Sequence, residues 1–327
     1  MTRPPFHQTR TAFQKIPLNQ IDLTDDTFST NFMPDLRALR SSITELGLLE
    51  PVLLREKPEG YQIVSGFRRL SVLQELGVEE AESRIMDASD VKLFSTTLHE
   101  NLTTRGLNTV ETAIALHKLV HQLKIESHLV IRDYLPLFGL ETNVKILSTY
   151  LSLAAMEEEL KKYVLEEEVS RSNIRKLASL SPEDRLELIP FFSSMKLGES
   201  RLREILTLLE EISQRDQTSM GEVVRNPEIQ EIIDHPELTL SQKTERVKRV
   251  LMALRYPRMN QLEESFDKKR RQLHLPPGIA LYHRPYFESK GIKIELRFMT
   301  LEEYRSLLSA LSLLPEKVEF RELLDQE

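Results

Sequence analysis

Strand signals stop at Arg105 and do not return until Ile279. Between Ile16 and Arg105, short apolar segments alternate between strand-like and helix-like spacing. Beyond Arg105 the apolar repeats are helical. That asymmetry sets the expected class as α+β, mostly helical. It predicts a small α/β N-terminal domain, an all-helical middle and a small α/β C-terminal module. The expected boundaries are a basic tail over 1–15, the N-terminal domain over 16–105 and the helical domain over 106–213. A linker over 214–240 and basic helices with the α/β module over 241–327 complete the chain.

Local signals support this division. Ile16–Ile21 reads as a strand, and Pro34–Leu46 as a helix stopped by Gly47. Pro51–Leu54 and Tyr61–Val64 flank Lys57-Pro-Glu-Gly60, a hairpin pattern. Gly66 opens a helix to Leu76, Ala81–Met86 reads as a strand, and Ser89–Leu102 as a helix. Further helices are predicted over 109–123, 129–138, 143–153, 156–165, 172–180, 182–191 and 199–212. Ser181-Pro182 is a good helix start. Gln214–Asn226 is polar and weakly patterned. Two helices over 242–275 should break near Tyr256-Pro257. Ile279–Tyr282 and Ile292–Phe298 read as strands, and Thr300-Leu-Glu-Glu303 as a capping box opening a last helix.

Composition narrows the chemistry. The chain has no cysteine, which excludes disulfides, thiolate metal sites, Fe–S clusters and cysteine catalysis. No run of 18 apolar residues occurs, and Met1–His7 lack the apolar stretch of a signal peptide. A cytoplasmic protein is the expectation, with no membrane partner. The formal charge of −7 hides an uneven distribution. Residues 156–240 hold 19 acids and 11 Lys/Arg, a local net of −8. Residues 242–275 hold ten Lys/Arg and four acids, a local net of +6.

Two segments carry chemistry. In Val64-Ser-Gly-Phe-Arg-Arg-Leu70 a strand delivers the chain to a glycine that starts a helix. Unpaired N–H groups at that start favour an anion, Gly66 permits close approach, and Arg68 and Arg69 add forked donors. In His99-Glu-Asn-Leu-Thr-Thr-Arg105, Glu100 and Asn101 sit at a helix end. A carboxylate beside an amide oxygen suits Mg²⁺, which accompanies phosphates. His117 and His121 have the spacing of a zinc pair, but no third ligand is evident.

In this order and spacing the segments resemble the ParB family of chromosome and plasmid partition proteins. Gly66-Phe-Arg-Arg69 is similar to the family's Gly-Glu-Arg-Arg box. Glu100-Asn101 resembles its Glu-Asn-x-x-Arg, Leu107-Asn-Thr-Val-Glu111 its Leu-Asn-Pro-x-Glu, and Ser42–Pro51 its Ser-Ile-x-x-x-Gly segment. The helices after Glu111 resemble the family's helix-turn-helix domain. The resemblance implies a ParB/sulfiredoxin fold that binds CTP and Mg²⁺, and a dimeric clamp around DNA that CTP gates. It assigns phosphates to Gly66, Arg68 and Arg69, and Mg²⁺ and an attacking water to Glu100 and Asn101. Glu100 is then the candidate catalytic residue of a weak CTP hydrolase. Leu48, Leu49, Glu50 and Pro51 would lie near the base. Phe67 replaces the family's acidic residue, and Thr104 stands where its arginine falls, with Arg105 one position on.

For DNA, the second helix of the helix-turn-helix offers Thr142, Asn143, Lys145 and Ser148. The basic stretch offers Arg246, Arg249, Lys268, Lys269, Arg270 and Arg271. The implied partners are DNA, a second copy of the chain and a ParA-like ATPase, in the nucleoid of the cytoplasm. Two other readings use the same residues. One is a ParB-fold transcription regulator without CTP hydrolysis. The other is a phosphate-processing enzyme, a nuclease or kinase, on the same fold.

Overall fold

The computed structural model describes residues 13–283 and 291–324. The expected basic tail lies mostly outside them, Arg3 and Arg10 included. The chain forms two compact units that part between Ser193 and Ser194.

The first unit opens with a five-stranded mixed sheet. Its strands are β1 (Phe13–Pro17), β2 (Ile21–Asp22), β3 (Val52–Lys57), β4 (Gly60–Ser65) and β5 (Glu80–Ile85), in the order β1-β5-β3-β4-β2. The hairpin β3–β4 is antiparallel, as its Pro-Glu-Gly turn requires, while β3 and β5 run parallel. The single strand expected over Ile16–Ile21 is instead two strands on opposite edges of the sheet. Pro17 has no N–H to continue a ladder, and a 3₁₀ turn over Leu18–Gln20 follows it. The four Cα steps from Pro17 to Ile21 reach roughly 14 Å at most. Crossing a flat sheet of this width takes roughly 19 Å, so the sheet is curled.

Helices α1 (Arg37–Leu46) and α2 (Phe67–Glu75) bury Ile43, Leu70, Val72 and Leu73 against Val52, Leu54 and Ile63 of the sheet. Helix α3 (Asp90–Thr104) buries Leu93, Phe94 and Leu98, and Thr97 Oγ1 donates to the Val64 carbonyl at 2.5 Å.

Helix α4 (Thr109–His117) starts in a capping box between Asn108 and Glu111 and runs on as a π-helical turn over Lys118–Gln122. The helix expected over 129–138 is irregular. A short helix α5 (Ser127–Leu129) passes into a π-helical turn, then a 3₁₀ turn over Leu135–Phe138. Pro136 removes an N–H in that run and prevents a regular α-helix. Helix α6 (Val144–Ala154) follows, capped by Asn143, whose Oδ1 accepts from Lys145 N at 2.7 Å. Helices α7 (Glu158–Glu166), α8 (Arg171–Ser179) and α9 (Pro182–Ser193) complete the unit. The fold is thus α+β and mostly helical, as the sequence pattern predicts.

In the second unit, α10 (Glu199–Asp216) packs on α13 (Leu240–Arg255), and Leu202, Ile205, Leu209, Val247 and Leu251 of these helices are buried. Residues 214–240 are not an extended linker. They hold the end of α10, then α11 (Met220–Val224) and α12 (Pro227–Asp234), with Met220, Val223, Val224 and Ile229 buried. Residues 194–213 likewise belong with the second unit rather than with the helical middle, because α10 needs α13 to cover its apolar face.

Helix α14 (Pro257–Gln272) begins at the predicted break. The antiparallel pair β6 (Ile279–His283) and β7 (Ile292–Leu296) precedes α15 (Leu301–Ser312) and α16 (Val318–Leu324). Phe266, Leu273, Leu281, Leu314 and Leu323 form the core here. The second strand is shorter than expected. After Leu296, Arg297 N turns to the Gly278 carbonyl at 2.8 Å, and Phe298 stays half exposed. The predicted capping box of Thr300 and Glu303 is present.

Candidate functional site

A cleft of about 210 Å³ opens where β4 meets α2. Glu50, Gly66, Arg68, Arg69, Glu100 and Asn101, separate in sequence, line it together. They are joined by Thr30, Asn31, Ser65, Phe67, Thr104 and Arg105.

Gly66 is the hinge of this arrangement. Its φ is +101°, a conformation that L side chains rarely adopt, and a Cβ there would sit 2.7 Å from Val52 Cγ1. Only glycine lets the buried end of β4 turn directly into α2. The free N–H groups of the first turn of α2 then border the cleft, and the helix dipole adds partial positive charge.

The arginines are held in place by carboxylates. Arg69 Nη1 donates to the Glu50 and Pro51 carbonyls at 3.0 and 2.9 Å, and Nη2 to Glu100 Oε1 at 2.7 Å. Arg68 Nε donates to Asn31 Oδ1 at 3.0 Å and Nη2 to Glu111 Oε1 at 2.6 Å. Arg105 Nη1 donates to Glu111 Oε2 at 2.7 Å, and its Nε to Asn101 Oδ1 at 3.2 Å. Glu111 is 1% exposed and so gathers two arginines on one buried carboxylate. Burial, then Arg105, pulls the Arg68 guanidinium below its ordinary value, while Glu111 pushes it back up.

The displaced arginine therefore still reaches the cleft. Helix α3 ends at Thr104, and Arg105 leaves the helical conformation as its cap. That extra residue of turn redirects its side chain toward Glu111. Glu111 belongs to a recognisable motif, but its sequence shows no role beyond the helix cap. Thr30 and Asn31 come from a segment without a motif, and nothing in the sequence singles them out.

The residues expected near a base divide. Glu50 lines the cleft, and Pro51 contributes its carbonyl to Arg69. Leu48 lines a separate groove with Ile43, Leu73 and Val78, packed against the core, and Leu49 is 69% exposed. Both leucines sit outside the cleft because the turn after Gly47 directs Leu48 to the core side. As to a metal, no cluster of three His, Asp or Glu suited to one occurs among the described residues. Glu100 Oε1 is engaged by Arg69, but a single carboxylate with phosphate oxygens is an ordinary Mg²⁺ environment. The C-terminal end of α3 also favours a cation. His117 and His121 lie with ring centroids 4.5 Å apart and ring planes tilted by 44°, and burial followed by His121 lowers the His117 pKa.

Thr142, Asn143, Lys145 and Ser148 are all exposed at the start and along one side of α6. In the basic stretch, Lys269 pairs with Glu322 at 3.3 Å and Arg270 with Asp267 at 3.0 Å. Arg246, Arg249, Lys268 and Arg271 are exposed, the first two along a groove that also holds Glu228, Glu231 and His235. No helix among the described residues is long and apolar enough to cross a membrane.

A curled mixed sheet with an arginine-lined cleft at a glycine-opened helix defines a small α/β domain joined to a helical one. The model of the ParB N-terminal domain matches residues 5–102 of the chain. It is 32% identical over 142 residues to the chromosome-partitioning protein ParB of Myxococcus xanthus, covering 40% of this chain and 48% of that protein. It is 27% identical over 222 residues to the nucleoid occlusion protein of Bacillus mycoides, covering 66% and 74%. The chain thus spans about half the length of the Myxococcus relative. A solved structure, C-terminally truncated ParB from Caulobacter crescentus complexed with CTP-γ-S, is 22% identical. That match covers 54% of this chain and 97% of the other at a TM-score of 0.25.

Proposed function

We propose that the cleft binds a nucleoside triphosphate, CTP with Mg²⁺, in a dimeric DNA-binding protein of chromosome or plasmid partition or nucleoid organisation. The observation that carries this reading is the convergence of Gly66, Arg68, Arg69 and Arg105 on the first turn of α2, beside Glu100 and Asn101. Free N–H groups and three guanidinium groups, partly offset by Glu111 and Glu100, supply the donors that a triphosphate accepts. Mg²⁺ bound to those phosphates would neutralise part of their charge, with Glu100 and Asn101 supplying oxygen. DNA contact falls to the exposed face of α6 and to the exposed cations of the second unit. A ParA-like ATPase is the partner this role calls for.

The test is calorimetric titration with each nucleoside triphosphate, with and without DNA. CTP binding that needs Mg²⁺ and fails in Arg68→Ala and Asn101→Ala is expected. Unchanged CTP affinity in both variants removes the site. A second reading, nucleotide binding without hydrolysis in a transcription regulator, is favoured by one contact. Arg69 occupies Glu100 Oε1 at 2.7 Å, so that carboxylate serves as a counter-ion rather than as a free base. Phosphate release from CTP that Glu100→Gln abolishes would refute this second reading.

A further inference from the structure

The segment between β2 and α1 supplies one wall of the cleft through Thr30 and Asn31. It is tied down from several directions. Asp25 Oδ2 accepts from Gln62 Nε2 at 2.6 Å, and Lys118 Nζ donates to the Asp26 carbonyl. Phe32 N donates to Glu111 Oε1 at 3.4 Å, and Asn31 Oδ1 accepts from Arg68. Against this background one atom stands out. Thr30 is 2% exposed, and its hydroxyl is buried with no hydrogen-bond partner among the described residues.

A buried hydroxyl left unpaired is destabilising, and native chains leave few of them. Here the unpaired group sits in the wall of an arginine-lined cleft. Its neighbour Asn31 is bonded to Arg68, so Thr30 lies at the anion-binding side. A hydroxyl can donate to a phosphate oxygen, and a hydrogen bond to a charged acceptor is among the stronger ones.

We propose that Thr30 is a ligand-binding residue whose hydroxyl donates to a phosphate oxygen of the bound nucleoside triphosphate. A small movement of the segment toward the phosphates pairs the hydroxyl and closes that wall of the cleft. The inference rests on the nucleotide reading of the same site.

Thr30→Val keeps the branched shape and removes the hydroxyl. A hydroxyl with no ligand role predicts a valine variant that melts at the same or a higher temperature and binds CTP as before. The proposal predicts the same melting behaviour with CTP affinity about tenfold weaker. Thr30→Ser, which keeps the hydroxyl, should stay within about threefold of wild type, since the bond is retained. Inorganic triphosphate, which has neither base nor ribose, should show the same valine penalty as CTP. Wild-type CTP affinity in Thr30→Val, a penalty confined to CTP, or a serine variant as weak as the valine one overturns the assignment of Thr30. Each of these leaves the nucleotide site standing. A wild-type chain that binds no CTP overturns both.

Discussion

Replacing Glu111 with alanine tests whether the cleft is organised around one buried carboxylate. Glu111 is 1% exposed and accepts from Arg68 at 2.6 Å and Arg105 at 2.7 Å. It also completes the cap of α4 through Asn108 N at 3.2 Å. Removing one partner of a buried ion pair costs about 3–5 kcal/mol, because the remaining charge is left uncompensated. Arg68 and Arg105 are 23% and 24% exposed, so water reaches them and the lower end applies, about 3 kcal/mol. Loss of the reciprocal cap bond adds about 0.5–1 kcal/mol. For a unit of this size each kcal/mol lowers the midpoint by about 2–4 °C, which gives a fall of about 7–16 °C. Differential scanning calorimetry of the full chain measures it. Glu111→Gln can keep the cap but not the charge, so it should lose about 3 kcal/mol and fall by about 6–12 °C. In Glu111→Ala/Arg105→Ala the two arginines no longer repel across the gap, so the double variant should be less destabilised than the two single losses added together. A fall of under about 2 °C in Glu111→Ala, or additive losses in the double variant, refutes the carboxylate as the organising group.

Further outcomes follow from other contacts. Gly66→Ala should cost about 2–4 kcal/mol, from its left-handed backbone and the clash with Val52, and should weaken CTP binding, read by melting and calorimetry. Arg185 holds Glu157 through bonds of 2.9 Å each and lowers its pKa. The stability this gives is present above the ordinary glutamate value of 4.5 and is lost as pH falls below it, so Glu157→Gln should flatten the acid limb of a stability–pH profile. Burial, then Glu167, raises the Tyr163 pKa above its ordinary 10.0, so the stability contributed by its neutral form is present below pH 10 and lost as pH rises beyond it. Tyr163→Phe should remove that alkaline loss in a melting series. Lys145→Ala should weaken DNA binding and reduce the salt slope by about one, read by fluorescence anisotropy at several salt concentrations.

The parts of the fold that were legible in the sequence are those set by local chemistry. The turn before Gly60, the opening of α2 at Gly66, the break at Pro257 and the capping box at Thr300 each announce themselves within a few residues. The parts that were not legible depend on distant partners. Nothing local says that β1 and β2 lie on opposite sheet edges, since that follows from β5 and β4 claiming them. Helices α11 and α12 are five and eight residues long, too short for a periodic signal to emerge. The site shows the same split. Gly66, Arg68 and Arg69, the residues proposed to bind an anion, fall within four successive positions and could be read directly. Glu111 and Thr30 matter because they are buried, and burial is a property of the packed chain.

Charge shows that split most plainly and leads to a separate test. In the sequence the stretch over 242–275 is a basic run that could track a phosphate backbone. In the fold, Lys248 reaches Glu204 at 2.8 Å and Arg255 reaches Glu211 at 2.8 Å. Two acids of α10 and two bases of α13 therefore neutralise each other, and the local excess of +6 is not all available to DNA. Lys269 and Arg270 are also paired, which leaves Arg246, Arg249, Arg258, Lys268 and Arg271 as exposed cations of the run. A Lys248→Ala/Arg255→Ala variant should lose a little stability, about 1 kcal/mol in all for two partly exposed pairs, and keep its DNA affinity. Lys268→Ala/Arg271→Ala should keep its stability and lose DNA affinity, with a salt slope shallower by about two if both cations meet phosphates. Binding titrations at several salt concentrations separate the two variants. Equal losses of DNA affinity in both would mean that the pairs open on DNA and that the basic stretch acts as a whole.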